Sequence, residues 1–177
     1  MKKILGIIML FLMSILPLDA KIKIQKDVVD KVTKERVIET DWYSFSTTGN
    51  KNFSDVHLRF RYDDGVEYLE IKHVLGEDVT IRKNHKVLIN CENNTFYSKI
   101  IDSTSQVGDG SIGYAGSHIK GINVVCGFDY IWLLYNTPKS IHIETTNKRI
   151  DLKIEKKVGK DIVKLYKLFL KGSTGQT

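Results

Sequence analysis

VHLRFRYDDGVEYLEIKHVL, residues 56–75, holds two alternating apolar and polar runs around Asp64-Gly65, the pair that a two-residue type I′ hairpin turn takes. Folding the chain about that turn sets Phe60 against Leu69 and Leu58 against Ile71 on one face, with Arg59 against Glu70 and Arg61 against Tyr68 on the other. A one-residue slip would drive Arg59 and Arg61 into the core, so turn and pattern agree on an antiparallel hairpin with one wet face.

The same reasoning extends along the chain. Residues 86–92 read as a strand whose inward set is Val87, Ile89 and Cys91, and Asn93-Asn94 as a turn that pairs Cys91 with Phe96, Ile89 with Ser98 and Val87 with Ile100. With Asn147-Lys148 as a third turn, Ile143 meets Leu152, Ile141 meets Ile154, and His142 faces Lys153 outside. Residues 79–82 read as a further short strand, and the segment from Lys21 to Asp30 as the first. Residues 37–46 are β-prone but carry apolar side chains on both parities, which fits either a bulge or burial on both sides. Asp129 is placed to cap a short helix over residues 130–135, with Asn136 as its left-handed stop and Pro138 beyond. In residues 158–171, Val158, Ile162, Leu165, Tyr166 and Phe169 make one helical face and Lys160, Lys164, Lys167 and Lys171 the other. The fold class is therefore mainly β: an antiparallel sandwich or a partly open barrel built of hairpins, with a short internal helix and a C-terminal amphipathic helix. An α+β arrangement is the alternative.

Residues 1–20 read as a secretory signal peptide: Lys2 and Lys3, an uncharged apolar run over residues 4–18, and the small Ala20. The run is shorter than the ~20 residues that cross a hydrocarbon core, which favours cleavage over anchoring. Residues 21–171 then form one β-rich domain, residues 172–177 a flexible tail, and the mature protein is periplasmic or secreted. Two prolines, 42% hydrophobic residues and the absence of any repeat place it in the globular class. Cys91 and Cys126, both on inward strand positions of an exported chain, are expected to form a disulfide; two buried free thiols are the alternative.

Residues that could carry chemistry are few. The glycine-rich stretch GDGSIGYAGSHIKG, residues 108–121, fits G-x-G-x-x-G, but no helix follows it, so it does not read as a dinucleotide fingerprint. Ser111 has Asp109 and His118 nearby, yet lacks the G-x-S-x-G flanks, and a triad is assembled in space rather than along the chain. As a ligand-binding loop the stretch would offer Asp109, Ser111, Tyr114, Ser117 and His118; as plain structure its glycines relieve crowding where a strand bends, and this second reading carries more weight. The five histidines have no metal-ligand spacing, and neither a metal nor a cofactor is implied. Lysines 153, 156, 157, 160, 164, 167 and 171 read mainly as the wet face of the last helix. Their functional reading is a weak contact with an anionic surface such as lipid headgroups, lipopolysaccharide or acidic glycan. No aromatic platform interleaves them, so nucleic acid is not expected.

The string Val37-Ile38-Glu39-Thr40-Asp41-Trp42, then Tyr130-Ile131-Trp132-Leu133-Leu134-Tyr135-Asn136-Thr137-Pro138 leading into residues 140–144, resembles uncharacterised small secreted proteins of Bacteroidetes type. The sequence departs from their pattern at Val32-Thr33, where a Phe-Thr-Gly is expected. The resemblance implies a bacterial exported domain and brings no activity and no functional residues. The expected function is thus a non-enzymatic exported domain that binds a small ligand or envelope partner. An extracellular or periplasmic hydrolase and an envelope structural or inhibitory module are the alternatives.

Overall fold

The computed structural model describes residues 22–29, 31–32, 34–47, 55–63, 65–75, 79–108, 119–127 and 130–174. The expected signal peptide and all five candidate residues of the glycine-rich stretch (Asp109, Ser111, Tyr114, Ser117 and His118) lie outside them. β4 (Val56–Asp63) and β5 (Val66–Val74) pair in the register read from the sequence, Phe60 opposite Leu69 and Arg59 opposite Glu70. Gly65 has φ +78°, the left-handed conformation that makes glycine the suitable residue in so tight a turn.

Around this hairpin the chain builds a single open sheet with β1 (Ile24–Val29), β2 (Arg36–Thr40), β3 (Tyr43–Phe45), β6 (Lys86–Asn90), β7 (Thr95–Gly108), β8 (Ile119–Gly127), β9 (Ser140–Glu144) and β10 (Arg149–Lys153). Its order is β1-β2-β4-β5-β8-β7-β6-β9-β10, with β3 also on β4, and every pairing is antiparallel. The sheet is not closed: β1 and β10 are its edges. Between Glu39↔Arg61 and Tyr43↔Leu58 the chain advances four residues on one strand and three on the other, so residues 37–46 contain a bulge. Thr40 seals it from inside: its buried hydroxyl accepts from the Phe60 amide at 3.1 Å.

The other two hairpins keep their faces but not their register. Ile89 lies opposite Phe96 and Val87 opposite Ser98; Ile143 lies opposite Ile150 and His142 opposite Asp151. Both are displaced by two residues from the expected pairing because each turn is centred one residue earlier, on Glu92-Asn93 and on Thr146-Asn147. The Cys91 amide donates to the Asn94 carbonyl, and the Thr145 amide to the Lys148 carbonyl. Lys34 is the one non-glycine residue with positive φ among the described residues, so Asn93, Asn94 and Asn147 do not adopt the left-handed conformation a two-residue type I′ turn requires. Residues 79–82 are not a strand, although Val79 is buried.

The inner face of the sheet and the helix α1 (Lys156–Thr174) enclose one core, to which β2 to β10 all contribute buried side chains. Helix and sheet meet at Phe60, whose ring lies 5.0 Å from Tyr166, 5.7 Å from Phe169 and 5.9 Å from Tyr130. Ile162, Leu165, Tyr166 and Phe169 form the buried stripe, as the helical spacing predicts. The helix outruns its expected end: residues 172–174, assigned to the tail, are its last turn, and Gly172 packs on Ile24 and Ile38. The short internal helix is a single 3-10 turn, Ile131–Leu134; its stop is the Asn136 side chain, which donates to the Trp132 carbonyl at 2.9 Å. Among the described residues no helix is long and apolar enough to cross a membrane.

The expected disulfide is not formed. Cys91 and Cys126 are both buried free thiols. β7 lies between their strands, which at ~4.8 Å per strand separates them by ~10 Å, beyond the ~7 Å Cα limit for a disulfide. They are also offset along the sheet: Cys91 sits at the 91–94 turn while Cys126 is opposite Ile100. The two side chains share inward parity but do not lie on neighbouring strands. Burial pushes the Cys91 thiol up to about 11 and the Cys126 thiol up to about 12, so both stay protonated at neutral pH. Unfolded, unreduced protein should therefore titrate as two thiols per chain, and native protein should react slowly; a thiol-free unfolded chain would contradict this arrangement.

Candidate functional site

Three polar constellations among the described residues differ in their roles. The first covers the outer face of β2, β4 and β5. Arg59 is held between Glu39 and Glu70, 2.7 Å from each, and Arg61 bonds Asp63 at 2.8 Å. The Arg59 guanidinium lies 4.6 Å from the Trp42 ring centroid and the Lys72 ammonium 4.4 Å from it. Every charge in this ladder faces an opposite charge or a ring, and Glu70 itself is buried. It is a covered, neutralised surface that fixes strand register.

The second lies on the outer face of β6, β9 and β10. Ile141 and Ile143 point into the core, so Ser140 and His142 point out. Asn90 is directly across β6 from Ser140, and Asp151 directly across β10 from His142. The Ser140 Oγ lies 2.9 Å from His142 Nε2, and His142 Nδ1 donates to Asp151 Oδ1. Asn90 Nδ2 is 2.6 Å from the same Nε2 and 3.2 Å from Ser140 Oγ, while Thr95 Oγ1 donates to Asn90 Oδ1 at 2.8 Å and fixes the amide's orientation. The hydrogen bond from His142, with the Arg149 guanidinium 2.8 Å from the same carboxylate, holds the Asp151 carboxyl below the usual carboxylate range.

The third is a groove of about 610 Å³ where four segments meet. Glu92 and Asn93 come from the 91–94 turn, residues 135–139 follow the 3-10 turn, Lys153 and Ile154 end β10, and Lys156 and Lys160 open α1. The connecting segment is pinned on both sides, the Lys139 amide to the Asn90 carbonyl at 2.8 Å and the Ile154 amide to the Lys139 carbonyl at 2.9 Å. Lys139 pairs with Glu92 at 3.1 Å. Among the described residues Lys153, Lys156 and Lys160 have no carboxylate within ion-pair distance. The first turn of α1 contains no acidic residue, although its unpaired amides and the helix dipole favour negative charge there. Tyr135, 83% exposed, stands at the rim.

The sequence offers the 108–121 stretch as a binding loop, with plain structure as the weightier reading. The chain there joins β7 to β8, whose last described pair is Gly108↔Ile119. Of the C-terminal lysines it named, Lys153, Lys156 and Lys160 reach the groove, whereas Lys164 turns back to Asp161 at 2.9 Å. Among the described residues no cluster of His, Cys, Asp and Glu could hold a metal ion. What fold and site together define is a β-rich domain with a basic groove at the start of its closing helix. Compared with known protein families, with curated proteins and with solved structures, the chain finds no match.

Proposed function

We propose that this chain is an exported binding domain whose ligand is a small acidic saccharide held in the groove between the 91–94 turn, residues 135–139 and the start of α1. The observation that carries the reading is the convergence of Lys139, Lys153, Lys156 and Lys160 on one concavity, with Glu92 as the single carboxylate among the described residues that line it. Among the described residues three of these lysines have no carboxylate within ion-pair distance, and Lys156 sits in the first turn of α1, where positive charge is unfavourable. A carboxylate or phosphate in the groove would pair with them and accept from the first-turn amides. Tyr135 at the rim gives a sugar ring a face to pack on, and Asn93, Asn136 and Thr137 supply the neutral hydrogen-bonding groups that fix a hydroxylated ligand. The N-terminal apolar run supports export, which puts such ligands within reach.

Calorimetric titration at low salt with trigalacturonic acid, beside the neutral galactose trisaccharide, tests this. The acidic sugar should bind and the neutral one should not, with affinity falling as salt is added. Lys153→Gln with Lys156→Gln should weaken binding about tenfold or more, the loss of roughly 1.4 kcal/mol. Lys164→Gln with Lys167→Gln, on the outward face of the helix, should change it less than about twofold. Equal binding of both sugars, or equal loss in both double variants, would overturn the reading.

A further inference from the structure

The groove leaves the second constellation without a role. We infer that Ser140, His142, Asp151 and Asn90 form a nucleophilic site able to cleave acyl esters. This inference goes beyond the binding reading and stands without it. The contacts are those the chemistry needs. A serine hydroxyl is a weak nucleophile until a base accepts its proton, and Ser140 Oγ lies 2.9 Å from Nε2 of His142. The base must present that nitrogen without its proton, and the hydrogen bond from Nδ1 to Asp151 selects this tautomer. Asp151 is the positioning residue, kept ionised by His142 and Arg149.

The reaction balances with water as the only co-reactant. Ser140 Oγ bonds to the ester carbonyl carbon as its proton passes to Nε2, and the carbonyl π pair moves onto oxygen. Collapse expels the alkoxide, which takes the Nε2 proton and leaves as the alcohol. Water then attacks the acyl-serine through the same base and releases the carboxylic acid. The β9 backbone is paired on both sides, to β6 and to β10, so stabilisation of the oxyanion falls to a side chain. Asn90 is placed for it. In the resting state the amide shares the Nε2 lone pair with the serine hydroxyl and also donates to Ser140 Oγ at 3.2 Å; once Nε2 holds the serine proton, that acceptor is gone and the amide is released toward the oxyanion. Thr95 keeps the amide pointed that way.

The test is covalent labelling of the full chain with a neutral alkyl fluorophosphonate, read by peptide mass. One label on Ser140 is expected, abolished in Ser140→Ala, with p-nitrophenyl acetate hydrolysis lost in parallel. Asp151→Asn, at the exposed side of the hairpin, should leave the protein folded and slow labelling by roughly 100-fold. Absence of label on Ser140, or labelling at an undiminished rate in a folded Asp151→Asn protein, would overturn the inference. Neither result depends on whether the groove binds sugars.

Discussion

Replacing Phe60 by alanine is expected to cost about 3–5 kcal/mol, the range for truncating a fully buried aromatic. Phe60 is fully buried, and its ring touches the three rings that join the sheet to the 3-10 turn and to α1. Two of these rings cannot swing into the space, because Tyr166 and Tyr130 are fixed by their hydroxyls. Tyr166 donates to Glu67 at 2.9 Å, and Tyr130 shares a 3.1 Å hydrogen bond with Ser98. For a domain of this size the loss corresponds to a fall of roughly 10 °C in melting temperature. Phe60→Leu, which keeps most of the volume, should cost under about 1.5 kcal/mol. Urea unfolding of both variants measures this, and a cost below about 1 kcal/mol for the alanine form would mean that the helix does not dock at Phe60.

The second large effect is at Gly159, where alanine should destabilise even though the site is helical. An exposed helical glycine changed to alanine gains up to ~1 kcal/mol. Here a Cβ would stand 2.4 Å from the Pro138 carbonyl oxygen and 2.9 Å from Thr137 Cγ2. The oxygen belongs to backbone pinned through Lys139 to Asn90 and Ile154, so it cannot yield as a flexible side chain would. The overpacking cost of ~1–3 kcal/mol should exceed the propensity gain, leaving a net loss. Because residues 135–139 line the groove, Gly159→Ala should also weaken saccharide binding, while Val158→Ala, one residue earlier, should leave it intact. Thermal melts decide the first point, and a stabilised Gly159→Ala protein would show that the helix start does not press on Pro138.

What the sequence disclosed depended on how local the information was. The β4–β5 register was legible because Asp64-Gly65 names both the turn and its length. The two other hairpins were legible by face only. A shift of two residues preserves parity, so Val87, Ile89, Ile141 and Ile143 were correctly placed inward while their cross-strand partners were not. That shift hid the Ser140 constellation: it set Lys153 opposite His142, where Asp151 lies. Ser140 and His142 at i and i+2 on one strand were the available signal, and the Thr145 hydroxyl, which accepts from the Lys148 amide at 3.0 Å, was the clue to a turn centred on Thr146-Asn147. Cys91 and Cys126 failed as a pair because strand order is set by non-local contacts: β5 is followed in space by β8, not β6. The groove was least legible of all. Its walls come from four segments, and only the gathering of lysines near residue 156 hinted at it.

The most direct measurement of the central claim is amide chemical-shift mapping of the isotopically labelled chain during titration with trigalacturonic acid. Saturable shifts confined to residues 92–93, 135–139, 153–154 and the first two turns of α1 are predicted, abolished together in the Lys153→Gln, Lys156→Gln protein. Shifts spread along the outward lysines 164, 167 and 171, or no shifts at these positions, would contradict a built anion-binding groove.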